Sequence, residues 1–431
     1  MALNSIGLSS PGAYQITQLY LISASGRVVD ITGIWKEISI YEDLFSNTLS
    51  GSILINDSHN LINEVPILGS EYLMISFDKS TQDLVFKKTF RVYKLGDRIY
   101  ETGTNESYIL YFTSEEALLN EQLRLSKAYV NRPVSSMVED ICLKELLIPQ
   151  ARLSVEPTDF PTSLIVATWK PFHALNWFTE IAISNAVLSA SFLFYENRLG
   201  YHFKAVETLF RADSILDINM GPRNLGRQRT PTTSNDPKKQ LENVMQYEQP
   251  HGCDELQLIS LGAYASHMTV VDLDTQSQSD VHLSVDQQFP ATGRGNTYTP
   301  FQRLKNRFGL APQEMPGSFY RIMPAGTEIH RNLLQRRMYL VGLHNHRVNV
   351  VIPGNLALTV GAVVTLHYPA AILNTDAEKI LDETYSGKYL ITSIQHKIDR
   401  EKYVCLCELM KESRISILPA PDQQVNQLGK E

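Results

Sequence analysis

Val348 to Leu366 reads V-N-V-V-I-P-G-N-L-A-L-T-V-G-A-V-V-T-L. Alternating apolar residues predict a strand up to the turn Pro353-Gly354-Asn355, a second strand, a bend at Gly361 and a third strand. Proline presets one turn dihedral and glycine accepts the left-handed one, so P-G-N is the expected turn chemistry. Gly361 allows a bulge or a tight bend. A strand pair follows, Tyr389–Lys397 then Tyr403–Leu409, and the pattern ends near Met410.

The same pattern stands near the other end, from Leu49 to about Glu115. There I-L-G-S-E-Y-L-M-I-S-F runs from Ile67 to Phe77, with Gly69 in the place of Gly361. Phe90–Arg98 and Tyr108–Ser114 form its strand pair, with a loop expected at Glu101–Asn105. One difference separates the copies: S-H-N-L-I-N-E-V-P-I-L-G replaces the compact P-G-N turn. Two similar units in one chain act as two similar subunits, so three chains would offer six similar surfaces around an axis.

The fold class expected is α+β, mainly β. Residues 12–118 read as a first β domain, with a hairpin around Ala24-Ser25-Gly26-Arg27. Residues 119–216 change period. Val134, Val138, Ile141, Cys142 and Leu146 mark one helix face, with a capping box expected from Ser136 and Glu139. A second helix is expected to begin at Pro171, followed by a hairpin around Glu196–Gly200. Residues 217–328 read as a loop-rich peripheral region. A short helix or strand is expected at Leu241–Tyr247, and strands at Glu255–Leu261 and His267–Leu273. So much irregular sequence points to binding surfaces. Residues 329–415 begin with a helix, patterned by Leu333, Leu334, Met338 and Val341, that leads into the second β domain; 416–431 is a polar tail.

The 431 residues are 43% apolar and 20% charged, with a net charge of −7. That is a globular composition with core enough for two to four domains, and too acidic for a surface that wraps nucleic acid. The four cysteines, Cys142, Cys253, Cys405 and Cys407, lack metal or redox spacing and read as small buried hydrophobes. Neither a Sec-type leader nor a membrane-spanning run is expected.

Catalytic and cofactor motifs are scarce. Gly293-Arg294-Gly295 lacks the third glycine of a dinucleotide site, and phosphate-loop, nucleophile-elbow and zinc-helix patterns are missing. His344 and His346 read first as polar turn residues, and Asp272 and Asp274 as a solvated strand end. Arg336 and Arg337 are expected on the outer face of their helix, ion-paired or at a subunit contact. Arg223, Arg227, Arg229, Lys238 and Lys239 make a basic loop that could meet an acidic partner or a nucleic-acid backbone. Neither a catalytic residue nor a cofactor is expected.

The V-N-V-V-I-P-G-N-L-A-L-T-V-G segment resembles the second tube-type domain of contractile-tail bacteriophage baseplate hub proteins, a domain shared with type VI secretion spikes. E-D-L-F-S-N-T-L-S-G-S-I-L-I-N-D, Glu42 to Asp57, is similar to their first tube domain. W-K-P-F-H-A-L-N-W-F and S-F-L-F-Y-E-N-R-L-G-Y-H-F resemble their inserted α+β domain. The likeness covers most of residues 15–413. It implies two tube-type β-barrel domains with an α+β insertion and long peripheral loops. It also implies a homotrimer forming a pseudo-sixfold ring in the virion tail. The implied partners are the tail tube protein, a separate central spike, neighbouring wedge proteins, the tape-measure protein and DNA in transit, with no stable membrane insertion. A type VI-like injection component and a tail-associated cell-wall hydrolase are the rival readings, and a monomeric carbohydrate-binding β protein is a third.

Overall fold

Strands at both ends of the chain follow the expected alternation. In the computed structural model, residues 13–58, 61–64, 67–79, 82–102, 105–187, 189–220, 244–248, 255–272, 276–284, 317–323, 329–344, 346–368, 382 and 385–412 are described. The amino-terminal strands are β1 (Gln15–Ile22), β2 (Val28–Asp30), β3 (Trp35–Asp43), β4 (Ser50–Asp57), β5 (Tyr72–Lys79), β6 (Gln82–Thr102) and β7 (Asn105–Thr113). In β4, Gly51, Ile53, Ile55 and Asp57 are buried, while Ser50, Ser52, Leu54 and Asn56 face outward, the period of a half-buried sheet.

The middle of the chain adds β8 (Leu125–Arg132), β9 (Leu153–Val155), β10 (Thr162–Trp169), β11 (Phe192–Asn197) and β12 (Gly200–Ala205). Helices Val134–Lys144 and Pro171–Ile181 accompany them, and the second starts on its proline as expected. Met137, Ile141, Cys142, Leu175, Phe178, Phe192 and Phe203 build a separate core here. Then come β13 (Asp217–Asn219), β14 (Gln246–Glu248), β15 (Ala265–Asp272), β16 (Ser277–Ser284) and β17 (Gly317–Met323). Helix Ile329–Leu343 leads into β18 (His346–Pro353), β19 (Val363–His367), β20 (Gly387–Asp399) and β21 (Tyr403–Lys411).

Both ends share one 13-stranded sheet among the described residues, ordered β14-β18-β21-β20-β3-β4-β7-β6-β5-β1-β2, with β13 and β19 off that path. In the first set β4 pairs with β7, β7 with β6 and β6 with β5. In the second, β18 pairs with β21, β21 with β20 and β20 with β19. The order is the same, and one irregularity is shared. A bulge falls between Val92 and Lys94 of β6, and another between Ile391 and Ser393 of β20.

Several local expectations change. The helix at Val134 is preceded by Pro133 and has no side-chain cap; Ser136 lies inside its first turn and donates to the Pro133 carbonyl at 2.9 Å. Glu255–Leu261 is a helix rather than a strand, an ambiguity that a seven-residue apolar run carries. The region 275–328 contains β16 and β17, which flank β15. Of Leu241–Tyr247, the described part enters β14. Strand β6 runs on to Thr102 and β7 starts at Asn105, which shortens the expected loop. Arg336 donates to the Phe192 carbonyl and Arg337 to Leu261 O at 3.0 Å, so both bind neighbouring elements within the chain.

One carboxylate fastens the middle segment to the first strand set. Glu196, fully buried in β11, accepts from Leu49 N at 2.9 Å and Ser114 Oγ at 2.5 Å, and pairs with Lys88 and Arg152. Glu196→Ala leaves the Lys88 ammonium buried without its carboxylate, held only by the Ser114 hydroxyl at 2.9 Å, so urea denaturation should show a loss of ~3–5 kcal/mol.

Candidate assembly site at the seam between the strand sets

Strand β3 belongs by sequence to the first set, yet it pairs with both. Ile38 faces Ile53 of β4 on one side and Ile398 of β20 on the other. Beside this seam the P-G-N turn, Gly361 and the β11–β12 hairpin converge.

Glu42 of β3 organises the convergence. It is fully buried, in phase with Ile38 and Ile40. Its carboxylate accepts from Arg198 N in the hairpin turn at 3.0 Å and from Val360 N in the second set at 3.1 Å. His396 Nε2 of β20 lies 3.7 Å from the same carboxylate, an ion-pair distance rather than a hydrogen bond. On its other side, His396 Nδ1 lies 2.7 Å from the Tyr403 hydroxyl and 3.5 Å from Cys405 Sγ. Burial opposes a charge on this imidazole, but Cys405 and Glu42 outweigh it and hold the ring protonated, its pKa pushed up to about 10.

Lys79, at the end of β5, reaches the carbonyl of Gly354 in the P-G-N turn. Burial brings its ammonium down to about 8, with Cys405 acting in the opposite direction. Outside this buried cluster, Arg400 clasps the seam, donating to Trp35 O at 2.7 Å and Gly33 O at 2.8 Å. On the exposed face Lys397 pairs with Glu37 at 3.1 Å, and Gln395 Nε2 donates to Ser39 Oγ at 3.1 Å.

The motif residues take definite places here. Pro353 ends β18. Gly354 does not adopt the left-handed backbone expected of it. Its requirement is room, because any side chain there would strike the Tyr403 ring. Asn355 accepts from Ala357 N at 2.9 Å through Oδ1, the self-bonded turn that asparagine favours. Gly361 is left-handed, φ +83°, with the Tyr195 hydroxyl against the place a Cβ would fill. Asn197 Nδ2 donates to the neighbouring Val360 O at 3.1 Å.

Gly69 is also left-handed, at φ +84°, but is held differently. Glu71, two residues on, accepts from Leu68 N at 2.6 Å and from Gly69 N and Ser70 N at 3.0 Å each. The first set caps its glycine turn with its own carboxylate, whereas the second borrows Glu42.

The other candidates are not gathered here. Arg223, Arg227, Arg229, Lys238, Lys239, Cys253, Asp274 and Gly293-Arg294-Gly295 lie outside the described residues. Asp272 ends β15. His344 is exposed and stacks on Phe45, while His346 is buried at the start of β18. Among the described residues no group of three His, Cys, Asp or Glu could hold a metal ion, and no helix is long and apolar enough to cross a membrane. The series Cys405–His396–Glu42 has the order of a nucleophile, base and acid. All three are fully buried, so no substrate reaches the thiol in this conformation.

The sequence reading overlooked Glu42, Lys79, His396 and Glu196. A signal existed for three of them. Glu42 follows Ile38 and Ile40, Lys79 follows Ile75 and Phe77, and His396 lies between Ile394 and Ile398, all in phase with buried positions. A charge in phase with the core side of a strand implies a buried partner.

No family model matches the sequence. A probable baseplate hub protein, gp334 of Vibrio phage KVP40, is 23% identical over 399 residues, which are 88% of this chain and 90% of that protein. The chain resembles phage baseplate hub proteins. The 43 kDa tail protein of prophage MuSo2 from Shewanella oneidensis shares the fold at a TM-score of 0.54 and 10% identity, over 93% of this chain and 99% of that one. The tail protein from Neisseria meningitidis MC58 shares it at 0.53 and 10% identity, over 93% and 97%.

Gly361→Ala combines left-handed strain with a collision against Tyr195, and should cost ~1–3 kcal/mol from the backbone alone. Adding Tyr195→Phe should recover part of the loss by removing the hydroxyl, read as a positive coupling in a thermal-denaturation double-mutant cycle.

Proposed function

We propose that this chain is a structural hub of a contractile phage tail baseplate. In this reading it assembles as a homotrimer whose six strand sets form a pseudo-sixfold ring in the virion. The observation that carries the reading is the repeated strand order with the same bulge, the two sets lying side by side through β3. Side-by-side repetition is the geometry a head-to-tail ring extends, and closure removes exposed sheet edges. The likeness in sequence to a probable baseplate hub supports the setting.

A ring of three chains with six similar places joins a sixfold tube on one side to a threefold spike on the other. Each chain supplies two quasi-equivalent contacts to the tube and one full contact to the spike. The middle segment and the polar loops lie at the periphery, where they would meet wedge proteins. The lumen would pass the tape-measure protein and then DNA. The outward face near the seam suits passage, since two ion pairs, Lys397 with Glu37 and Arg347 with Glu408, offset charge there. The protein acts by shape and contact, not by catalysis.

Native mass spectrometry of the purified chain tests the reading. The expected species is a trimer that also captures the tail tube protein. A strict monomer at high concentration, with no affinity for tube or spike, would overturn it.

A further inference from the structure

Strand β3 is a template for a contact that one chain cannot complete. In the first set β3 covers the outer edge of β4 and presents its own far edge to β20. In the second set β14 covers the outer edge of β18. The registers correspond. Ser52 of β4 faces Tyr111, which faces Lys94, the residue after the bulge. Asn349 of β18 faces Glu408, which faces Ser393, also after the bulge. Ser39 lies opposite Ser52 and Glu248 opposite Asn349. Tyr247 therefore occupies the position of Ile38.

The receiving edge corresponds as well. Ile38 is taken by Ile398 of β20, which faces Tyr403. Counting from the same bulge, the counterpart of Tyr403 on β7 is Glu106, and Glu106 faces Tyr100 of β6. Ile398 is 0% exposed beneath β3, whereas Tyr100 is 66% exposed and Ile99 59%. Thr392 is 0% exposed, and its counterpart Tyr93 is 50% exposed. β5 covers β6 only as far as Arg91. Among the described residues the rest of this edge has no strand neighbour within the sheet, and Tyr93, Ile99 and Tyr100 stand exposed along it with Lys94, Asp97 and Arg98 between them. Such an edge invites a strand.

We infer that the occupant is β14 of a second copy of this chain, added antiparallel to the 93–102 edge of β6 so that Tyr247 faces Tyr100 and Glu248 faces Ile99. This rests on the trimer reading and specifies its contact. The seam inside each chain and the seam between chains then use equivalent strands. The contact is heterologous, so it excludes a two-fold pair and builds a ring when the rotation per chain closes. The aromatic pair adds cross-strand attraction at the centre of the contact. The between-chain seam crosses an added irregularity, because β6 carries a second bulge between Gly96 and Ile99 with Asp97 at φ +50°.

Tyr100→Cys with Tyr247→Cys, in a Cys253→Ser background, tests the pairing. Mild oxidation should yield covalent dimer and trimer on a non-reducing gel, and neither single variant should do so. Hydrogen exchange of the wild-type chain is the second readout: amides of 93–102 should slow on passing from monomer to trimer. A native trimer whose cysteine pair stays unlinked and whose 93–102 amides are unchanged would overturn this contact and leave the trimer standing. A chain that is only monomeric would overturn both.

Discussion

Everything in this fold depends on one strand being shared. β3 lies between β4 and β20, so the chain's two β-rich ends cannot separate without breaking a sheet ladder. Inter-strand hydrogen bonds provide the ladder, but they are common to any sheet. Specificity comes from charges on the buried side. Glu42 must find partners because it has left water: it finds donors on the hairpin and on the second strand set, and an ion pair with His396. The register that satisfies Glu42 is the register that pairs Ile38 with Ile398.

The middle segment is held by the same device used in the reverse direction. Glu196 projects from it into the first set, as Glu42 projects from the first set toward it. A buried carboxylate with several backbone and cationic donors tolerates little displacement, so each joint is rigid as well as strong. This explains how the two repeats remain similar in strand order but differ in detail. The first glycine turn is closed by Glu71 and needs nothing from elsewhere. The second is completed only when Glu42 and Tyr195 are in place. Exchanging the two turns would strand a carboxylate in one set and leave a backbone donor unmet in the other.

In the proposed ring this asymmetry has a use. Six places there need the same outline, which the repeated strand order and the shared bulge supply. They need not share the same joints. The joint within a chain is sealed by buried charge and clasped by Arg400, while the bare stretch of β6 carries exposed tyrosines and an isoleucine. A contact of the second kind suits a surface that meets its partner only during assembly.

Much of this was legible in the residues. The alternation of apolar residues determined the strands, because a half-buried sheet has a period of two whatever surrounds it. Gly361 and Gly69 announced their bends, and Pro171 its helix, because these choices are local. The repeat, and the likeness to the hub family that it carries, could be read in the same way. Glu255–Leu261 could not, since a short apolar run suits either structure. The role of Gly354 could not either: its constraint is the Tyr403 ring, far away in sequence. Only the tertiary structure decided that β3 pairs with β20 and that Glu42 serves both strand sets. Those are pairings across more than 300 residues between Glu42 and His396. A sequence records which residues must be buried, not which distant residue will meet them there.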